Sequence, residues 1–504
     1  MIHMMQRSFE GVGVAETHSA AVFFFGDRAY KVKKPLDLGF CDFRTRQARE
    51  AACHREVLLN RRFAPDVYLG VADITLPDGR VGDHMVVMRR MPPERCLARL
   101  VREHAPVADD VRRVAELLAT FHMAGPRSPA ADEAATADSG RTRWTTNTEA
   151  LRALGDIFDT CVVERVQVLA ERYLDGRTPL FDDRIATGRA VDGHGDLLSE
   201  DIYCLLDGPR LLDCIEFDDA LRLGDGLADA AFLAMDLERL GAPDLGAAFL
   251  ETYRVLAADH WPASLAHHHI AYRAQVRAKV LALRSTQGKA DAAIDAAAHL
   301  GLALQHLEAG RVRLVLIGGL PGTGKSTIAV AVARELDATL LRSDELRKES
   351  CVVARDRHAP ARYGEGMYAL AATEGIYATM LDRATIALSM GETVVLDASW
   401  ARAAWRDQAR LVALAMSADI VEVRCHAPTA VAAERMLLRS TGGADASDAT
   451  PAIAAKMVAA QHPWPEAVAL NTAQRSDVVV RAALRIVGAR HMGPIPAMAT
   501  SRSS

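Results

Sequence analysis

The stretch Gly318–Thr327, GGLPGTGKST, decides how the rest of the chain is read. An apolar, β-branched run of strand length, Arg311–Ile317, precedes it, and Ile328, Val332 and Leu336 follow at helical spacing. Gly319, Gly324, Lys325 and Ser326 satisfy G-x-x-x-x-G-K-[ST], with Pro321, Gly322, Thr323 and Thr327 completing the turn. In a strand–turn–helix setting each residue type has a task. Glycines let backbone N–H groups wrap phosphates, Lys325 reaches the β/γ oxygens, and Ser326 ligates Mg²⁺. The helix N-terminus adds partial positive charge. The spacing predicts an ATP site, yet it begins after more than 300 residues of chain.

Two further pieces point from nucleotide binding to phosphoryl transfer. ATLLRSDELRK (338–348) places Asp344 after a short apolar strand, where a carboxylate can face an acceptor hydroxyl as base. GETVVLDASW (391–400) is a second apolar strand ending in Asp397, positioned to hold the metal's water shell. Together with Arg402, Arg406 and AERMLLR (433–439), these segments resemble the small P-loop kinases related to zeta toxins and gluconate kinases, over about 311–490. The resemblance implies a parallel sheet flanked by helices and a mobile lid carrying arginines. Arg435 and Arg439, four residues apart on one helical face, suit a phosphate or adenine clamp. The glycine-rich 440–451 segment reads as a lid hinge or a disordered loop.

The preceding residues contain VDGHGDLLSEDIYCLLDGPRLLDCIEFDDALRLGD (191–225), which reads as a polar loop and a hairpin with strands Ile202–Leu206 and Arg210–Phe217. Acidic residues stand at 196, 201, 213, 216, 218 and 219, and so much negative charge calls for cations. His194-Gly195-Asp196 followed by Ile215-Glu216-Phe217 resembles the aminoglycoside phosphotransferase and choline-kinase branch of the protein-kinase-like fold. On this resemblance Asp196 accepts the acceptor hydroxyl's proton, while Asp201 and Glu216 ligate metal through the hard oxygens Mg²⁺ prefers. Asp201 replaces the family's Asn and Glu216 its Asp; Asp213 or Asp218 stands as an alternative second ligand. His194 orders the loop by hydrogen bonding.

VAETHSAAVFFFGDRAYKVKKP (14–35) reads as strand, strand, turn and strand. Ala29-Tyr30-Lys31 matches the A-x-K of a kinase strand, with Lys31 on the α/β-phosphates and Lys33, on the same face, as fallback. The glycine-rich loop of protein kinases is absent; Thr17–Ser19 stands in its place. The next helix, Arg44 to Arg62, has Glu56 at the edge of its apolar stripe, so Lys31–Glu56 is the expected pair. HMVVMRRMPP (84–93) supplies a strand and the hinge toward adenine. Residues 125–143, GPRSPAADEAATADSGRTR, read as a flexible loop. Arg273, Arg277 and Lys279 form a modest basic helix face, read as solvated or as a receiver for an anionic substrate.

Together these readings predict a mixed α/β and α+β chain. A protein-kinase-like bilobal domain spans 1–308 (N-lobe about 1–90, C-lobe about 91–308), a P-loop parallel-sheet domain 309–490, and a disordered tail 491–504. The order resembles bacterial aminoglycoside phosphotransferase-like proteins fused to an ATP-binding kinase domain. The implied cofactors are ATP and Mg²⁺, and the implied partner is a small-molecule phosphate acceptor: sugar, amino-sugar, nucleoside or aminoglycoside-like. A regulatory nucleotide-binding protein with one non-catalytic half, and a toxin-like kinase of sugar nucleotides, are the rival readings. The formal charge of −5, from 60 basic and 65 acidic residues without a dense basic run, gives no support for nucleic acid or a membrane surface. MIHMMQRSFEGVGVAE (1–16) lacks the apolar core of a signal peptide. Eight cysteines without CxxC pairing favour a reducing cytoplasm over disulfides or zinc. His267–His269 lie on different helical faces and do not read as a metal site.

Overall fold

The computed structural model describes residues 7–9, 12–17, 19–37, 42–286, 291–350, 369–442 and 451–488. The expected tail, 491–504, and residues 443–450 of the glycine-rich segment lie outside the described residues. The chain divides into two compact units: residues 1–168, 181–261 and 266–307, and residues 169–180, 262–265 and 308–504.

The first unit opens with six antiparallel strands in the order β1-β2-β3-β4-β6-β5. They are β1 (Arg7–Phe9), β2 (Val12–Glu16), β3 (Ala20–Phe25), β4 (Arg28–Lys33), β5 (Tyr68–Thr75) and β6 (Val81–Arg89). The two-residue period of a strand places Ala29, Lys31 and Lys33 on one buried face of β4. The helix Arg46–Asn60, started by the Thr45 side chain accepting from Ala48 N, lies against this sheet. Its Cys53 and Val57 join Val67, Tyr68, Val86 and Met91 in an apolar core that also takes Leu212 from the second lobe.

That lobe is mostly helical, with two small antiparallel pairs: β7 (Ala190–Asp192) with β10 (Leu223–Asp225), and β8 (Ile202–Leu205) with β9 (Gly208–Leu211). The strand expected over Arg210–Phe217 therefore ends at Leu211, because Asp213 adopts a left-handed φ of 65° that no strand continues through. Residues 125–143 are not a loop. Ser128 and Thr136 cap the helices Pro129–Ala134 and Ala137–Ala153, with Pro129 in the first turn. The alanines that looked like linker composition are good helix formers, and Ala131, Ala135 and Ala137 are buried.

The second unit is a parallel sheet ordered β12-β13-β11-β14-β15, built from β11 (Arg313–Gly318), β12 (Thr339–Arg342), β13 (Val394–Asp397), β14 (Asp419–His426) and β15 (Val468–Asn471). β11 sits centrally and is buried from Leu314 to Gly318, as a parallel strand covered on both faces must be. Val315, Ile317, Ile328, Val332, Val395 and Val423 form part of its core with the helices Lys325–Glu335 and Ser476–Ile486. Among the described residues no helix is long and apolar enough to cross a membrane.

Within the first unit, Arg184 is almost wholly buried between two buried carboxylates. It meets Asp225 at 2.6 and 2.7 Å and Asp259 at 2.6 and 3.0 Å. Removing the cation takes the guanidinium from Asp225 and leaves Asp259, among the described residues, only Arg189, at 3.2 Å, in a low-dielectric interior. Arg184→Ala should cost about 3–5 kcal/mol, read as a lower urea midpoint for this unit. Arg184→Lys should recover only part, because an ammonium cannot fork to two carboxylates.

Candidate functional sites

In the first unit the expected Lys31–Glu56 contact is present, with Nζ 2.9 Å from Oε1. It is one link in a longer chain of charge. Glu56 also receives Lys33 at 2.6 Å; Lys33 in turn bonds Glu216, and Lys31 bonds Asp213. Burial works against every charge here; the neighbours outweigh it at Lys31, Lys33, Glu56 and Asp213, but burial leaves Glu216 raised. Asp213 and Glu56 hold the Lys31 ammonium well above its ordinary value, and the two lysines hold Glu56 below its own.

The two acids at the ends differ. Glu216 is buried against Lys33, while the Asp213 side chain is half-exposed and turned by its left-handed backbone. Asn60 clamps this turn, donating from Nδ2 to Cys214 O at 3.3 Å and accepting from Cys214 N at 2.8 Å. The Tyr68 hydroxyl accepts from Asp213 N at 3.1 Å. Asp213 faces Asp201 and Asp196 electrostatically. Burial first, and then these like charges, push Asp201 well above the usual carboxylate range; Asp196 is raised mainly by burial.

The loop carrying Asp196 is held from one helix, Gly226–Arg239. Asp229 accepts His194 N and Gly195 N, each at 2.8 Å, and Asp236 accepts Ser199 N at 2.9 Å. The two aspartates are seven residues apart and so share a face. His122 lies 3.2 Å from Asp229, and His194 donates from Nε2 to Leu212 O at 3.0 Å, a structural role for a wholly buried ring. Sequence reasoning missed Asp229, Asp236 and Asn60. Their only signal is a polar residue inside an apolar helix pattern.

Arg273 and Arg277 do not sit on a solvated face as one sequence reading had it. Arg277 lies 3.9 Å from Asp196, and Arg273 donates to Ala228 O at 2.8 Å. Lys279 bonds Asn147. His268 and His269 are packed in the interior and His267 is half-buried, with burial depressing all three rings.

In the second unit parallel register brings the site together. Ile317 on β11 and Arg342 on β12 both pair with Asp397 on β13. Asp397 is therefore level with the start of the phosphate loop, and Asp344 with the first turn of the helix Ser343–Ser350. Gly319 (φ 145°) and Gly322 (φ 79°) are required. A Cβ would lie 2.5 Å from Cys425 O at the first and 2.4 Å from Ala432 O at the second. Thr323 Oγ1 donates to Leu320 O at 2.7 Å, and Thr323 O accepts from Thr472 Oγ1 at 2.6 Å. Arg435 donates to Thr472 O at 2.8 Å and so sits over the loop beside Gly324, whereas the Arg439 side chain lies outside the described residues. Arg406 is buried and bound to Trp400 O and Pro463 O, so it is structural and no lid arginine.

Mg²⁺ fits the donor chemistry of both sites. Asp397 Oδ2 accepts Arg342 at 3.2 Å, but the buried Oδ1 has no hydrogen-bond partner. Asp344, raised by burial, makes no hydrogen bond or ion pair among the described residues and faces Lys325. No three acid, His or Cys side chains among the described residues form a metal cage unaided.

A family profile described as an AAA domain matches residues 314–463. An uncharacterized protein of Mycobacterium tuberculosis is 43% identical over 466 residues, 92% of this chain and 92% of its own. Among solved structures, a gluconokinase from Sinorhizobium meliloti is similar over 35% of this chain and 91% of its own, at 22% identity and TM-score 0.27. A choline/ethanolamine kinase family protein from Mesorhizobium loti is similar over 59% of this chain and 92% of its own, at 14% identity and TM-score 0.35. The chain belongs to one family with the mycobacterial protein.

Proposed function

We propose that each unit transfers the γ-phosphoryl group of ATP to a hydroxyl of a small molecule, at two separate sites. One observation carries this. In each unit a carboxylate without a hydrogen-bonded partner stands beside a cation and a further acid: Asp196 near Arg277 and near Asp213, which pairs with Lys31, and Asp344 near Lys325 and Asp397. A poised base beside a phosphate cradle is what phosphoryl transfer to a hydroxyl requires.

In the first unit Lys31, held by Glu56, is the phosphate contact, and Asp196 takes the proton of the attacking hydroxyl. The new bond joins the acceptor oxygen to the γ-phosphorus, the bond to the β-phosphate oxygen breaks, and ADP leaves. Asp201 and Asp213 are the metal ligands on this reading, because Asp213 is half-exposed and faces Asp201, whereas Glu216 is buried against Lys33 deep in the core. In the second unit Gly319–Thr327 and Lys325 bind the phosphates, Arg435 covers them, Ser326 and Asp397 hold the metal, and Asp344 is the base. Bound Mg²⁺ would neutralise charge developing on the phosphate oxygens. The acceptor classes this supports are sugars, amino-sugars and nucleosides, and the cytoplasm is where ATP would be met.

The test is ADP release by the full chain against a panel of hydroxyl compounds. Release no faster than intrinsic hydrolysis for every acceptor would leave nucleotide sensing as the better account. Lys325→Ala should remove one of two ATP sites by calorimetry, and loss of both would mean a single shared site.

In a Lys325→Ala background, Asp213→Asn should raise the Mg²⁺ needed for half-maximal transfer and slow transfer by about 10²-fold or more. Glu216→Gln should leave that Mg²⁺ requirement alone while lowering stability, since buried Lys33 keeps only Glu56. The reverse pattern would return Glu216 to the metal.

For the other site, Asp344→Asn should hold ATP affinity and slow transfer by about 10²-fold or more. Weakened ATP binding with unchanged transfer per bound ATP would make Asp344 structural.

A further inference from the structure

Arg273, Arg277 and Arg284 fall at i, i+4 and i+11 of the helix Ala263–Thr286, within about 40° of one another at 100° per residue. All three are half-buried and run along the loop that carries Asp196. Their commitments are unequal. Arg273 is spent on Ala228 O at 2.8 Å and Gly195 O at 3.4 Å, and its guanidinium lies over Phe232, 4.8 Å from the ring centroid. Arg277, its side chain only 13% exposed, has Asp196 at 3.9 Å, too long for a hydrogen bond. Arg284 has no hydrogen bond or ion pair among the described residues, although Asp196, Glu200 and Asp201 attract it.

The nearby acids do not balance this stripe. Glu200 is paired with Arg102 at 3.1 Å, and Asp213 with Lys31. Asp201 faces Asp213 as one of the acids assigned to metal. Among the described residues Asp196, 3.9 Å from Arg277, is then the one acid within ion-pair distance of either arginine, and Arg284 has none. Burial depresses the Arg284 guanidinium and repulsion from Arg277 adds to it, the condition of a cation awaiting an anion. Seven residues of helix separate these two arginines by about 10 Å, a span a small molecule can bridge.

We infer that the acceptor of the protein-kinase-like unit is itself an anion, a hydroxyl compound bearing a phosphate or carboxylate group that Arg284 and Arg277 bind while its hydroxyl meets Asp196. This rests on the phosphotransferase reading of that unit and narrows its substrate class. A cationic amino-sugar is disfavoured, because two uncommitted guanidiniums would face its ammonium groups. Forked N–H donors suit either acid group, so the shared feature recognised is a set of coplanar anionic oxygens.

The test uses the full chain with Lys325→Ala, so that only this unit turns over. The probes are glycerol, glycerate and glycerol 3-phosphate; glucose, gluconate and glucose 6-phosphate; and kanamycin as the cation. ADP release is measured for each, and binding of each to the Mg·ADP-loaded protein is followed by calorimetry. At least one acidic probe should exceed its neutral parent by about tenfold or more in kcat/KM, with kanamycin poorest. The carboxylate and phosphate arms show which acid group is preferred. Arg284→Gln should erase that preference at unchanged ADP affinity, and Arg284→Lys should restore part of it. Preference for the neutral or cationic probes overturns the inference. So does an Arg284→Gln variant that weakens ATP but not ADP and ignores acceptor charge, since the arginine would then serve the γ-phosphate. If no probe releases ADP yet acids bind in an Arg284-dependent way, the anion site stands and the phosphotransferase reading falls. If no acid binds either, the inference falls.

Discussion

The first unit is organised around Glu56, a carboxylate wholly removed from water whose two oxygens each face a buried lysine. None of these charges is tolerable alone. An unpaired ammonium or carboxylate at that depth costs several kcal/mol. Pairing them in series, Asp213–Lys31–Glu56–Lys33–Glu216, ties the sheet, the helix Arg46–Asn60 and the loop after β9 into one arrangement. The series holds three acids against two lysines, and the surplus negative charge emerges at Asp213, the half-exposed end. That is the side on which Asp201 and Asp196 lie.

The second unit reaches a comparable end by backbone geometry. Parallel pairing fixes Asp397 beside Ile317 and Arg342, so the ends of three strands carry the phosphate loop and two carboxylates with no long ionic chain. Glycines let the loop pass within reach of Cys425 O and Ala432 O, where any side chain would collide. A site built this way needs few charged residues and depends on close approach, whereas the first depends on pairing charges buried in series.

This difference sets what the sequence reveals. The phosphate loop is contiguous, so spacing alone placed Gly319 to Thr327 on a strand–turn–helix, and the ends of β12 and β13 were readable from apolar runs closed by Asp. In the first unit Lys31, Glu56 and Asp196 could be found because each sits in a local pattern. The partner of Glu216 could not: Lys33 looked like a spare beside Lys31, and only the fold shows that both lysines share one glutamate. Asn60, Asp229 and Asp236 act on backbone groups far away in sequence, which no periodicity encodes. The helices over 129–153 were misread because alanine and serine beside proline serve equally as linker and as capped helix.

The span of the charge series also bears on how the polypeptide is made. Lys31 and Asp213 are 182 residues apart, and Lys33 and Glu216 are 183. A chain emerging N-terminus first completes β4 long before either acid exists, and until then its two lysines share Glu56 alone. The amino-terminal sheet therefore waits, with an excess of positive charge on its inner face, for residues synthesised much later. At about 5–20 residues per second that interval lasts on the order of ten seconds or more. Closing so large a loop makes the last ionic links late events in folding. The nascent lobe is most vulnerable to misassociation in this window, and its lysines keep that face from burying itself against the wrong surface.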